Sequence, residues 1–124
     1  MLLYVHKGVI FLKVTDEKEL KHKANQIRQE IIKQVYNAKS GHPGGSLSIA
    51  DIIAVLYFNV LNIDEKNPKW EGRDRFVLSK GHCVAALYSA LALRGYFELE
   101  KLESFRKLDT ILQGHPDMTK VAGV

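Results

Sequence analysis

Three of the five histidines in this sequence, His42, His82 and His115, directly follow a glycine, and His42 and His115 directly precede a proline. With nine glycines in 124 residues, chance puts a glycine before a given histidine about 7% of the time, so three in five is on the order of a one-in-300 coincidence. A glycine beside an imidazole permits close backbone approach, and a proline stiffens the loop that presents the ring. Imidazole itself donates, accepts or carries a proton near neutral pH. The pattern suits histidines that contact a bound ligand.

His82 carries the most specific local cue. Arg75-Phe76-Val77-Leu78-Ser79 is a short apolar run bounded by charge and by Gly81, the pattern of a strand buried on both faces of a parallel sheet. Helical periodicity begins at Cys83, so His82 falls where a strand, continued through Lys80-Gly81-His82, meets a helix. Open α/β sheets bind ligands at that edge, and the unpaired amides and dipole of a helix start favour an anion such as phosphate. His42 and His115 lie on loops without a directional cue, and His6 and His22 read as surface residues. The three loop histidines are too far apart in sequence, with no short ligand pair, to read as a metal set. Cys83 beside His82 reads as a buried structural thiol, because adjacent residues seldom align for proton transfer.

The elements that must position these residues follow from periodicity. Asp16 and Glu19 form a capping box ahead of Leu20, Ala24, Ile27, Ile31 and Val35, which predicts a helix over 17–38 with Lys21, Arg28 and Gln29 on its wet face. The stretch Lys39 to Ser46, with three glycines and Pro43, predicts a tight loop. A second helix is expected from Ser48, capped by its hydroxyl and answered by Asp51, to Leu61, burying Ile49, Ile52, Ile53, Leu56 and Val60. Asn67-Pro68 opens a connector in which Trp70 covers a core edge. Val84, Leu87, Tyr88 and Leu91 predict a further helix that Gly95 ends in a left-handed turn, Glu98 to Leu108 another, and Asp109 to Val124 an irregular tail. One parallel strand cannot satisfy its own backbone groups. Either the leader Val9 to Val14 supplies a partner strand or, as we favour, the partners lie beyond Val124 or on another chain.

Composition excludes several classes. Hydrophobic residues make up 46% and charged residues 26%, as in ordinary globular chains. The net charge of +4 is spread among acidic residues without aromatic interleaving, so no nucleic-acid partner is expected. No apolar run is long enough for a membrane span, no cleavage site follows the leader, and the single cysteine admits no intrachain disulfide. A cytoplasmic protein is expected.

Lys39-Ser40-Gly41-His42-Pro43-Gly44, Asp74-Arg75-Phe76-Val77-Leu78-Ser79-Lys80-Gly81-His82 and Gly114-His115-Pro116-Asp117 resemble three successive motifs of the transketolase family, in their usual order and spacing. The resemblance covers about residues 20–124. It implies a partial thiamine-diphosphate-binding domain over 17–124, preceded by an extension over 1–16 without counterpart. The implied fold is α/β, a parallel sheet flanked by helices and mostly helical in this stretch. The implied activity is transfer of a two-carbon ketol unit between sugar phosphates, as in the pentose phosphate pathway. By the same resemblance His82 would contact the cofactor's diphosphate. His42 and His115 would face the reacting carbons, hydrogen-bonding sugar hydroxyls and moving protons around the carbanion. The family's Gly-Asp-Gly and following Asn, which bind Mg2+ and diphosphate, do not occur in this sequence. No metal ligand is therefore expected in this chain, and completion by a C-terminal transketolase half or a second subunit is. The expectation is a truncated or split product, inactive alone. Two alternatives are another thiamine-dependent ketol transferase, such as a dihydroxyacetone or deoxyxylulose phosphate synthase, and a non-catalytic interaction module.

Overall fold

The structure, a computed structural model, describes residues 1–6 and 8–124, without the side chains of His6 and Val9. The expected surface placement of His6 lies outside the described residues. In chain order the elements are β1 (Leu2–His6), β2 (Val9–Lys13), α1 (Glu17–Ala38), α2 (Pro43–Leu47), α3 (Ala50–Val55), a π-helical turn (Leu56–Val60), a 3-10 turn (Gly81–Cys83), α4 (Val84–Arg94) and a 3-10 helix (Leu99–Ser104).

The first helix starts and stops where its sequence dictates. The Asp16 carboxylate accepts the Glu19 amide at 2.9 Å, satisfying a helix-end donor for about 1 kcal/mol. Lys39, at φ 50°, closes the other end. Ala24, Ile27 and Ile31 turn inward and pack on α4, which is buried from Val84 to Ala92. The alanines of α4 let its neighbours approach on every side, so it is the axis of the molecule rather than an amphipathic surface helix. Gly95, at φ 91°, ends it as expected. The buried Gln34 amide ties α1 to α4, donating to the Ala85 carbonyl at 3.1 Å and the Ser89 hydroxyl at 2.8 Å.

The second helix differs from expectation. Pro43, whose fixed φ suits a first helical position, starts α2 inside the stretch expected to be a loop. The chain then breaks at Ile49, restarts as α3 and widens into the π-helical turn. Ser48 is the C-cap of α2 rather than the N-cap of the next helix; its hydroxyl donates to the Gly45 carbonyl at 3.0 Å, and Asp51 pairs with Arg28. Ala50, Ile53, Ala54, Tyr57 and Phe58 recur at three- and four-residue spacing and form the buried face, which leaves Ile52 (58%) and Val60 (50%) on the exposed side.

The expected interior strand is also corrected. Arg75 to Ser79 is irregular and no strand among the described residues pairs with it. Leu78 is buried and the Phe76 ring meets Tyr57 edge-on, but Val77 is 81% exposed. A ladder needs a partner, and the leader does not supply one: β1 and β2 pair antiparallel with each other, Leu3 opposite Leu12 and Val5 opposite Ile10. Lys80-Gly81-His82, expected to extend that strand, instead enters the 3-10 turn. The helix expected over 98–108 is only the short 3-10 helix, because Phe105 (ψ 125°) and Arg106 (φ 58°) leave the helical region. The tail from Asp109 is irregular, as expected.

The leader docks by its inner face. Phe11 is buried against Trp70, ring centroids 5.7 Å apart, so Trp70 does cover a core edge. Lys13 donates to the carbonyls of Val60 (2.6 Å) and Leu61 (3.0 Å) and to Asn62 (3.1 Å). Burial pushes its ammonium below the ordinary 10.5, with Asp74 acting in the opposite direction. No helix among the described residues is long and apolar enough to cross a membrane.

Candidate functional site

The three glycine-flanked histidines come from three segments and meet at the start of α4. His42 is the residue before α2, with its carbonyl accepting the Ser46 amide at 3.1 Å. Gly41 precedes it at φ 144°, where a Cβ would press the Val35 side chain at 2.9 Å, so both backbone and space require glycine. His82 stands in the 3-10 turn that runs directly into α4. The His42 and His82 rings touch edge to face, centroids 4.8 Å apart at 74°. His115 arrives from the tail, its Cδ2 only 2.8 Å from where a Cβ on Gly81 would be. One imidazole thus lies on His82 and another on the residue before it. All three histidines are exposed, whereas His22 is a solvent-facing residue of α1, as expected.

The supports are buried. Cys83 is fully enclosed, with its sulfur against Gly45 of α2, in keeping with a structural thiol. Tyr88, one of the buried residues of α4, donates its hydroxyl to the His115 carbonyl at 3.2 Å. Burial, with a contribution from Asp117, raises the Tyr88 phenol to about 12, so it remains a donor at neutral pH. In the tail, Thr119 donates to the Asp117 carboxylate through its amide (2.9 Å) and hydroxyl (2.6 Å), which lowers the carboxyl below its ordinary 3.8.

Three features suit a phosphate-bearing ligand. The first turns of α2, the 3-10 turn and α4 contain no acidic residue. The positive end of the α4 dipole points at this opening, where the 3-10 turn binds the Cys83 amide to the Lys80 carbonyl at 2.9 Å. The exposed imidazoles stand at that opening, donors complementary to a diphosphate. Among the described residues no three His, Cys, Asp or Glu side chains gather as a metal ion would require.

Sequence reasoning missed two members of this constellation. Lys80, which enters the second motif without a role of its own, donates to the Gly45 carbonyl at 2.7 Å and the Ser48 hydroxyl at 3.1 Å. Arg106, assigned no role, donates to the Ser40 hydroxyl at 2.8 Å. Both contacts join residues tens of positions apart, and nothing in local spacing announces them.

Comparison with known proteins agrees with the motifs. The family model described as "Transketolase, thiamine diphosphate binding domain" matches residues 19–124. A 6-deoxy-6-sulfo-D-fructose transketolase subunit of Clostridium sp. (strain MSTE9) is 47% identical over 106 residues, covering 86% of this chain and 38% of that protein. Transketolase 1 of Escherichia coli (strain K12) is 46% identical over 112 residues, covering 90% of this chain and 16% of that protein. Among solved structures, the transketolase of Campylobacter jejuni superposes with a TM-score of 0.80 at 41% identity, over 89% of this chain and 17% of the other. A Pichia stipitis transketolase in complex with sedoheptulose-7-phosphate gives 0.81 at 40% identity, over 85% and 16%. This chain therefore spans between about a sixth and two fifths of the length of these relatives. The agreement of family model, sequence and superposed backbone places the chain in the transketolase family, within its thiamine-diphosphate-binding domain.

Proposed function

We propose that this chain forms the histidine-bearing wall of a thiamine-diphosphate-dependent ketol transferase that moves a two-carbon unit between sugar phosphates. The observation that carries the reading is the meeting of His42, His82 and His115 at the opening of α4. In this reading His82 and the first amides of α4 hold the cofactor's diphosphate, where the donor set and helix dipole favour negative charge. When bound, thiamine diphosphate supplies the carbon nucleophile that takes up and releases the ketol group. His42 and His115 face the reacting carbons, orient sugar hydroxyls and carry protons to and from them.

The remaining parts come from outside this sequence. The Gly-Asp-Gly and Asn that hold Mg2+ in the family are assigned to a C-terminal transketolase half or a second subunit, and the isolated chain is inactive. Two relatives support division among chains. The Clostridium relative is one subunit of its transketolase, and a Phocaeicola vulgatus protein, 41% identical over 97 residues, is one subunit of an apulose-4-phosphate transketolase. We place the activity in the cytoplasm and in pentose phosphate interconversion.

The test is reconstitution with a complementing transketolase portion. His82→Ala should weaken thiamine diphosphate binding by roughly 1–3 kcal/mol, the range for a lost hydrogen bond to a charged group, and unchanged affinity dismisses the diphosphate role. His42→Ala and His115→Ala should lower turnover with cofactor affinity retained. Calorimetry on the isolated chain checks the division of labour: tight binding of thiamine diphosphate and Mg2+ by this chain alone contradicts it.

A further inference from the structure

The His42 segment is held on both sides of the histidine, once from the His82 segment and once by a residue that covers the His115 segment. On the C-terminal side the Lys80 ammonium, two residues before His82, donates to Gly45 and Ser48 at 2.7 and 3.1 Å. On the N-terminal side the Arg106 guanidinium donates to Ser40 at 2.8 Å. The same guanidinium closes over Gly114, the residue before His115: its Nε and Nη2 lie 2.8 and 2.9 Å from where a Cβ on Gly114 would be. Arg106 is itself fixed, with left-handed backbone and an amide that donates to the Leu112 carbonyl at 2.9 Å.

We propose that Lys80 and Arg106 are positioning residues, two cationic latches that lock the His42 segment to the His82 turn and to the His115 loop. Neither needs to touch a ligand. The acceptors are a carbonyl and two hydroxyls, and hydrogen bonds from a charged donor are shorter and stronger than neutral ones. Without the Lys80 latch, α2 is five residues long with an uncapped start and lacks the length to hold its own orientation. The His42–His82 edge contact, which depends on that orientation, is then lost. The Arg106 latch sets how far the Ser40–Gly41 turn lies from Gly114, and so how far His42 lies from His115. The proposal rests on the reading above only for what the rings do, since the ring geometry is a property of the chain without cofactor.

The test is nuclear magnetic resonance on the full 124-residue chain without cofactor, with labelled histidine and lysine. In the unaltered chain the Lys80 side-chain order parameter at Cε–Nζ should exceed about 0.6, the boundary between restrained and freely moving groups. A lower value overturns the Lys80 latch however any variant folds. In Lys80→Met the nuclear Overhauser effect between the His42 and His82 rings should fall at least about fivefold, while that between Tyr88 and Phe105, centroids 6.1 Å apart in the core, persists. Lys80→Arg should restore at least half of the lost intensity, a rescue that loss of packing alone does not give. Full retention of the ring contact in Lys80→Met with the core intact overturns the proposal. Ser40→Ala removes the Arg106 acceptor at an exposed position and should lower the His42 amide order parameter; no change there overturns the Arg106 half. Pyrophosphate and thiamine diphosphate binding are measured separately, so failed cofactor binding with latched rings counts against the proposed function alone.

Discussion

The sulfur of Cys83 occupies the space that a side chain on Gly45 would enter, closer than non-bonded atoms are found. Helix α2 can therefore seat against the start of α4 only while position 45 is bare, and the contact between His42 and His82 rests on that seating.

Gly45→Ala should destabilise the chain by about 1–3 kcal/mol, the usual cost of an extra methyl group in a packed site. Cys83→Ala in the same chain should return most of that loss, because the two side chains compete for one volume. Urea denaturation of the single and double variants checks this, and strictly additive losses contradict the contact.

Gly81→Ala acts on a different partner. Its Cβ would meet the His115 ring at 2.8 Å and Pro116 at 3.4 Å. Because His115 is exposed and can swing away, stability should change by less than about 1 kcal/mol, while the His115 ring resonances shift and turnover of a reconstituted enzyme falls more than its cofactor affinity. A native His115 spectrum in this variant rules out the contact.

Stability should decline in alkali with a sign fixed by burial. The Tyr88 phenol is raised from 10.0 to about 12 in the folded chain, chiefly by burial, and burial raises Tyr57 and Tyr96 as well. Between pH 10 and 12 the unfolded chain has released these protons and the folded chain has not, so the contribution is complete below pH 10 and is lost as pH rises through 12. Tyr88→Phe should flatten this decline in chemical denaturation measured from about pH 8 to about pH 11. A slope identical to that of the unaltered chain removes Tyr88 from the account.

The leader has its own reporter, since Trp70 is the single tryptophan and lies on Phe11. Phe11→Ala should cost about 3 kcal/mol, at the low end for a buried phenylalanine because the hairpin can lift without the rest unfolding. Trp70 emission should shift to the red as water reaches the indole. Unshifted emission shows that the hairpin does not cover it.

What the sequence revealed divides by the range of the interactions involved. The cap at Asp16, the extent of α1 and the Gly95 stop are local matters of hydrogen bonding and backbone angle, and all three were legible. The convergence of the histidines was legible only as a compositional oddity, glycine before imidazole, since their meeting depends on α2, α4 and the tail folding together. Of the apolar stripe assigned to the second helix, Ile53 is buried and Ile49 and Leu56 pack against the core, but Ile52 and Val60 face water. The buried face runs through the small Ala50 and Ala54 to Tyr57 and Phe58, and apolar composition alone does not choose between the two sides. Arg75 to Ser79 has a strand's composition without a strand's partner among the described residues, and composition cannot report pairing. Lys80 and Arg106 were invisible because a lysine or arginine in a loop has no local signature of the distant oxygen it holds.

Helix α4 shows no side to water from Val84 to Ala92. Its amides should trade hydrogen for deuterium only when the whole molecule opens, making it the slowest-exchanging part of the chain. The loops bearing His42, His82 and His115 all rest on its first turns or, through Tyr88, on its middle. Heating would then loosen the exposed rings before the bed beneath them gives way, and that bed, built on α4, would be dismantled only in the final cooperative melt.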